Sequence, residues 1–93
     1  MLRELVALFL EECPKHLAAI AGAIAAADAL EVQRAAHTLK GSAAVITATD
    51  VHSAAERIEA AAREQHWDDI RRCWNDLERA VRLLRPALQA LIA

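Results

Sequence analysis

The sequence predicts an all-α fold: an antiparallel four-helix bundle with a short extra N-terminal helix, occupying residues 1–93 as one domain. Three observations predict it. Alanine makes up about a quarter of the 93 residues, whereas there are only 2 Gly, 2 Pro, 1 Phe and no Tyr; helix formers are plentiful, and strand and turn formers are scarce. Apolar residues recur three and four positions apart in successive segments, the period of a helix face. The chain is 56% hydrophobic and 26% charged, too apolar for disorder and long enough for one core, with about 60–65% of the unfolded surface buried.

The elements follow in order. Met1 to Glu12 carries Leu2, Leu5, Val6, Phe9 and Leu10 at helical spacing, which predicts the short N-terminal helix. Pro14 interrupts it and suits the first position of a new helix. Leu17, Ile20, Ile24 and Ala27 then line one face, with Gly22 inside as a mild cost and a point of close packing. Asp28 marks a break. The next helix runs from near Leu30 to about Ile46, with the core stripe Val32, Ala35, Ala36, Leu39, Ala43 and Ile46. Thr47 and Asp50 have capping-box spacing, and Thr49 is an alternative cap. Val51, Ala54, Ala55, Ile58 and Ala62 form the following stripe, and Gln65-His66 connects it to the last helix. There Trp67, Ile70, Trp74, Leu77, Val81, Leu84, Leu88 and Leu91 alternate by three and four. Pro86 should kink or restart that helix near its end.

Composition also excludes function classes. The net charge is −2, and no basic stripe supports binding to a nucleic-acid backbone. Cys13 and Cys73 make neither a disulfide framework nor a zinc site and read as small apolar side chains. The alanine-rich run Leu17 to Ala29 lacks a cationic start and is too short to insert in or span a bilayer. Two cysteines of that kind point to a reducing compartment. His52 and Glu56 are four apart, but the Glu-x-x-His pairs of di-iron bundles are missing, so no metal is expected. His66 at a helix start reads as a capping or solvated residue. Arg71, Arg72, Asp76 and Arg79 read as a solvated face.

One helix carries residues that packing does not explain. At about 100° per residue, with Leu39 defining the core direction, His37 and Gly41 point outward, about 160° away on either side. Ala44 and Gln33 flank them, and Lys40 sits near 100°. A glycine inside a helix costs about 1 kcal/mol relative to alanine. With no side chain at Gly41 and only a methyl at Ala44, the His37 imidazole is uncovered to another protein. Lys40, three residues on, could neutralise a phosphoryl group on the ring. Neutral imidazole, the major form near pH 7, is a competent nucleophile. The same spacing also fits a solvated histidine beside a tolerated glycine.

The octet Ala36-His37-Thr38-Leu39-Lys40-Gly41-Ser42-Ala43 resembles the signature of histidine-containing phosphotransfer (HPt) domains, the four-helix modules of two-component phosphorelays. Leu8 through Pro14, Asp28, Ala48, Val51, Glu56 through Glu59, and Ala62-Arg63 extend the likeness over nearly the whole chain. The resemblance implies that His37 accepts a phosphoryl group through Nε2. It gives Lys40 the role of stabilising that group, Gly41 of clearing the approach, and Ser42 of supporting the site. The implied partner is a receiver domain, whose aspartate donates or accepts the group and which carries the Mg²⁺; no cofactor is expected on this chain. A partner covering His37 should touch Gln33, Arg34, Lys40, Gly41 and Ala44, with a second contribution from the Pro14 to Ala27 helix. Thr47 stands where the family often has glycine, and Val45 replaces a commonly polar residue, so the loop should differ there unless Thr47 caps. With no glycine-rich nucleotide loop, the chain cannot phosphorylate itself from ATP.

A non-catalytic module that docks receivers, or a homodimerisation bundle, remains the alternative reading. Four stripes in one chain favour a monomer. Helices at both ends suggest a domain excised from a longer protein. The expected setting is cytoplasmic, as a free protein or as the cytoplasmic part of a membrane-anchored sensor kinase.

Overall fold

The computed structural model describes residues 2–93, so Met1 of the expected N-terminal helix lies outside the described residues. Four α-helices follow one another: α1 (Leu2–Ala25), α2 (Ala29–Val45), α3 (Thr49–Arg63) and α4 (Trp67–Ile92). Each packs against its neighbours in the chain, and α1 closes onto α4. One chain therefore supplies all four helices of the bundle. The long axis is 39 Å, the length of a 26-residue helix at about 1.5 Å per residue. Among the described residues no helix is long and apolar enough to cross a membrane.

The expected separate N-terminal helix is not there. Residues 2–25 form one helix that passes through Pro14. An internal proline removes one hydrogen bond and costs about 3 kcal/mol, so packing must outweigh it. Val6, Phe9, Cys13, Ile20 and Ala23 are all buried, and they keep one helical face in register across the proline. Cys13, seven residues before Ile20, is the link. Pro14 itself is exposed, so its ring does not disturb the core. Pro86 likewise lies inside an uninterrupted α4 and starts no new helix.

The core is otherwise the one the periodicity predicts. Val32, Ala36, Leu39 and Ala43 from α2 meet Val51, Ala54, Ala55, Ile58 and Ala62 from α3, with Ile70, Leu77, Val81 and Leu88 from α4. Trp67, Trp74 and Leu84 are half-buried against this core, whereas Leu91 is exposed. Cys13 is fully buried and Cys73 half-buried, both as free thiols. On α4, Arg71, Arg72 and Arg79 pair with Asp68, Asp69 and Asp76 on an exposed face. Gly22 is not a close packing point, since an added Cβ would meet nothing within 4 Å.

The three connections are the same turn built three times. In each, one residue adopts the left-handed conformation: Ala27 (φ 54°), Thr47 (φ 54°) and Gln65 (φ 56°). The next amide reaches back five residues: Asp28 N–H donates to Ala23 C=O (3.0 Å), Ala48 to Ala43 (2.9 Å) and His66 to Ala61 (3.0 Å). The left-handed residue donates to Ile24, Ala44 or Ala62. These paired bonds are the Schellman closure of a helix. Asp28, Ala48 and His66 then serve at once as the N-caps of the next helices.

Two expectations about the second turn are corrected. Neither Thr47 nor Thr49 caps α3. The cap is Ala48, which makes no side-chain bond, and the Thr49 hydroxyl donates to the Thr47 carbonyl (3.4 Å). Nor does the loop avoid the strained conformation; Thr47 adopts it. Ala27 is in the first turn rather than on the α1 stripe. Of the three turn residues that cap a helix, only Asp28 does so with its side chain, accepting from the Glu31 amide at 3.2 Å. A β-branched residue in the left-handed region costs about 1–2 kcal/mol. Thr47→Gly should therefore stabilise the fold by about 1 kcal/mol, a rise in Tm of about 4–8 °C for a domain of this size. Thermal unfolding followed by circular dichroism checks it.

Candidate functional site

Small residues bring α2 and α3 together. Ala36 and Ala43 of α2 and Ala54, Ala55 and Ala62 of α3 are all buried. Side chains this short let two helix axes approach closely. Groups on adjoining edges of the two helices can then meet.

His37 and Lys40 lie one turn apart on α2 and reach the same α3 side chain, Glu59. His37 Nδ1 is 2.9 Å from Glu59 Oε2. Lys40 Nζ is 2.7 Å from Oε1. Arg63, one turn further along α3, places Nη2 3.7 Å from Oε2. Glu59 is the one buried charged residue among those described, and its side chain is 9% exposed. Lys40 is largely covered at 22%. His37 is 66% exposed and projects from the bundle, as its angular position predicts.

The electrostatics fix the ring's chemistry. Burial of the Glu59 carboxyl would raise its pKa, but hydrogen bonds and charge from Lys40 and His37 outweigh burial and hold it below the usual glutamate value. Glu59 is therefore an anion near neutral pH. A carboxylate only accepts hydrogen bonds, so the proton between it and His37 belongs to Nδ1. In the neutral ring Nε2 then carries the lone pair. Nδ1 is anchored, and Nε2 is the nitrogen left for chemistry.

The other expected site residues divide into two groups. Gly41 and Ala44 are exposed on the His37 face. An added Cβ at Gly41 would meet nothing within 4 Å, so packing within the chain does not require glycine there. Arg34 is exposed and pairs with Glu31 at 3.3 Å. Gln33 and Arg34 line a shallow hollow with Leu30, His37, Thr38 and Glu59. Ser42 is turned away from His37. It faces α1, with Oγ 3.5 Å from His16 Nε2, and borders an apolar hollow formed with Leu5, Phe9 and Ile46. The side chain that meets His37 comes from α3.

Sequence reasoning did not single out Glu59 or Arg63. A signal for Glu59 was present: it lies four residues after Ala55 and three before Ala62, on the edge of the buried stripe, where a carboxylate needs a partner. His66 is only 3.7 Å from Asp69 and makes no side-chain cap bond. Among the described residues no three His, Cys, Asp or Glu side chains gather where they could hold a metal ion.

A bundle that holds a histidine outward on a carboxylate anchor, with a bare glycine one turn on, belongs to the class of histidine-presenting helical modules. Comparison with protein families makes the assignment specific: the model of the Hpt domain matches residues 4–93, and the chain belongs to that family. No curated protein and no solved structure matches the chain.

The lowered pKa of Glu59 ties stability to pH. A carboxyl whose folded value lies below its unfolded one contributes stability above the unfolded value, near 4.5. That contribution is lost as pH falls through the lowered folded value. Glu59→Gln should be less stable than the wild type at pH 7, and the gap should close as pH falls below about 4.5. Urea unfolding of both proteins between pH 7 and pH 3 checks it.

Proposed function

We propose that the chain is a phosphorelay intermediate that accepts a phosphoryl group on His37 Nε2 and passes it on. The partner is the aspartate of a receiver domain. The observation that carries this reading is the 2.9 Å contact between Nδ1 and Glu59 on an otherwise uncovered imidazole. Membership of the Hpt family supports it.

In the forward step the Nε2 lone pair attacks phosphorus of the receiver's aspartyl phosphate. The N–P bond forms, the P–O bond to the aspartate breaks, and the carboxylate leaves. The ring keeps its Nδ1 proton and becomes positively charged as the bond forms. Glu59 faces that developing charge, so it favours the transition state over the neutral ring. The return step is the reverse. Phosphoryl transfer depends on positioning and charge neutralisation more than on covalent chemistry. The receiver and its Mg²⁺ supply the in-line geometry, and the bundle supplies a fixed nucleophile.

Lys40 acts first through Glu59, holding the carboxylate ionised and oriented while adding positive charge beside the ring. Gly41 and Ala44 leave the face low enough for the partner's pocket to reach Nε2. Gln33 and Arg34 border the approach from the preceding turns. Ser42 supports α2 from its α1 side.

Two measurements test this reading. Labelled phosphoryl should move from a phosphorylated receiver domain, in the presence of Mg²⁺, to the wild type and not to His37→Gln. The label should be acid-labile and alkali-stable. Uptake by a folded His37→Gln protein would sink the assignment. Gly41→Leu should keep or raise helicity, because leucine favours helix by about 0.8 kcal/mol over glycine. It should slow transfer at least tenfold by blocking the approach; transfer at the wild-type rate would show that the glycine clears nothing.

A further inference from the structure

We propose that His52 is a docking residue for the receiver domain. Its imidazole hydrogen-bonds the partner at the far end of the face that His37 occupies, and so helps set which receiver the chain accepts. The proposal rests on the phosphotransfer reading and deepens it, adding an α3 side chain to a contact surface that the resemblance draws from α2 and α1.

Position comes first. His52, Glu56 and Glu59 follow one another along one line of α3, at intervals of four and three. On α2, Lys40, Gly41 and Ala44 continue from His37 in the same way. The two helices run antiparallel across a short turn. Seven residues on from His37 and seven back from Glu59 therefore lead to the same end of the bundle, about 10 Å along the axis. The two lines meet there: Ala44 and His52 line one hollow with Thr47, Ala48 and Thr49.

Low ground connects the two histidines. Gly41 has no side chain, Ala44 has only a methyl, and the Lys40 ammonium is held against Glu59 and largely covered. An added Cβ at Gly41 would meet nothing within 4 Å, so the chain's own packing leaves this trough unfilled. Even a weak protein contact buries on the order of 600 Å² on each partner, a disc of radius about 14 Å. A receiver centred on His37 Nε2 therefore reaches His52, and it comes closest on the side where the surface is lowest.

Chemistry singles out His52 within the trough. The polar groups beside His37 are already engaged, Lys40 with Glu59 and Glu59 with Nδ1. Three of the four histidines have a side-chain partner: His16 with Ser42, His37 with Glu59 and His66 with Asp69. Among the described residues His52 alone has none, although it is half-buried. Its hollow is walled by the methyls of Ala43, Ala44 and Ala48, and the Thr49 hydroxyl donates to the Thr47 carbonyl instead. An imidazole carries donor and acceptor positions, and both ring nitrogens of His52 are uncommitted within the chain. A ring already half-covered also loses little freedom when a partner engages it.

The test separates docking from packing. Transfer from a phosphorylated receiver domain with Mg²⁺ is measured against receiver concentration for the wild type, His52→Leu and His52→Gln. Loading of His37 by phosphoramidate, which needs no docking, is measured beside it. Leucine keeps most of the bulk and removes the hydrogen bonds, whereas glutamine keeps a donor and an acceptor. We expect His52→Leu to raise the half-saturating receiver concentration about two- to tenfold, the effect of one neutral hydrogen bond. The rate at saturation and the phosphoramidate loading should not change, and His52→Gln should fall between His52→Leu and the wild type. An unchanged half-saturating concentration in His52→Leu would overturn the proposal. So would an equal change in phosphoramidate loading, which would trace the effect to His37 itself. If phosphoramidate loads the wild type and no receiver does, the relay reading falls and the docking role with it; transfer to the wild type with identical saturation curves in both variants removes the docking role alone.

Discussion

A carboxylate cannot be buried without partners, and Glu59 organises this molecule around that requirement. Its side chain is almost wholly covered, and removing one member of such a cluster leaves an uncompensated charge. Lys40 satisfies one oxygen and His37 the other. Satisfying the carboxylate fixes the α2–α3 register at this level, since both partners come from one turn of α2. It also fixes which ring nitrogen bears the proton. One interaction thus joins the stability of the bundle to the chemistry of its exposed histidine.

The rest of the fold keeps that interaction in place. Alanines at the α2–α3 contact let the helices come close enough for a glutamate on one to reach a histidine on the other. Three-residue connections of identical geometry leave little freedom in how successive helices enter and leave. The core continues past Pro14 on α1, so the helix flanking α2 on its far side is one long body rather than two jointed pieces. The proposed nucleophile needs this stiffness, because misplacement by about 1 Å can cost a hundredfold in rate.

Much of this was legible in the sequence, for physical reasons that differ by element. The α2, α3 and α4 stripes were readable because apolar residues at intervals of three and four have one helical solution. His37 was readable as outward-facing from its angle to Leu39. The N-terminal helix was misread because Pro14 looks like a boundary when Cys13 is not counted as core. The breaks at Asp28, after Ile46 and at Gln65-His66 were readable, but their left-handed closures were not, because each such position carries a residue other than glycine: Ala27, Thr47 and Gln65. Local chemistry does not announce such turns; the packing on either side imposes them. Glu59 and Arg63 were unreadable as site members because their role depends on a neighbouring helix, and α3 alone shows only a carboxylate at the edge of a stripe.

The division of labour at the site follows from where water is. Glu59 and Lys40 interact with little solvent between them, where charges couple strongly and hold their geometry. His37 Nε2 and Arg63 lie in water, where charges couple weakly and rearrange readily. A site made only of the first kind could anchor a ring but not release a phosphoryl group to a partner. One made only of the second kind could bind phosphoryl but not orient the nucleophile. The carboxylate sits at the boundary, with one oxygen committed to Lys40 and the other shared between the fixed Nδ1 and the loosely held guanidinium.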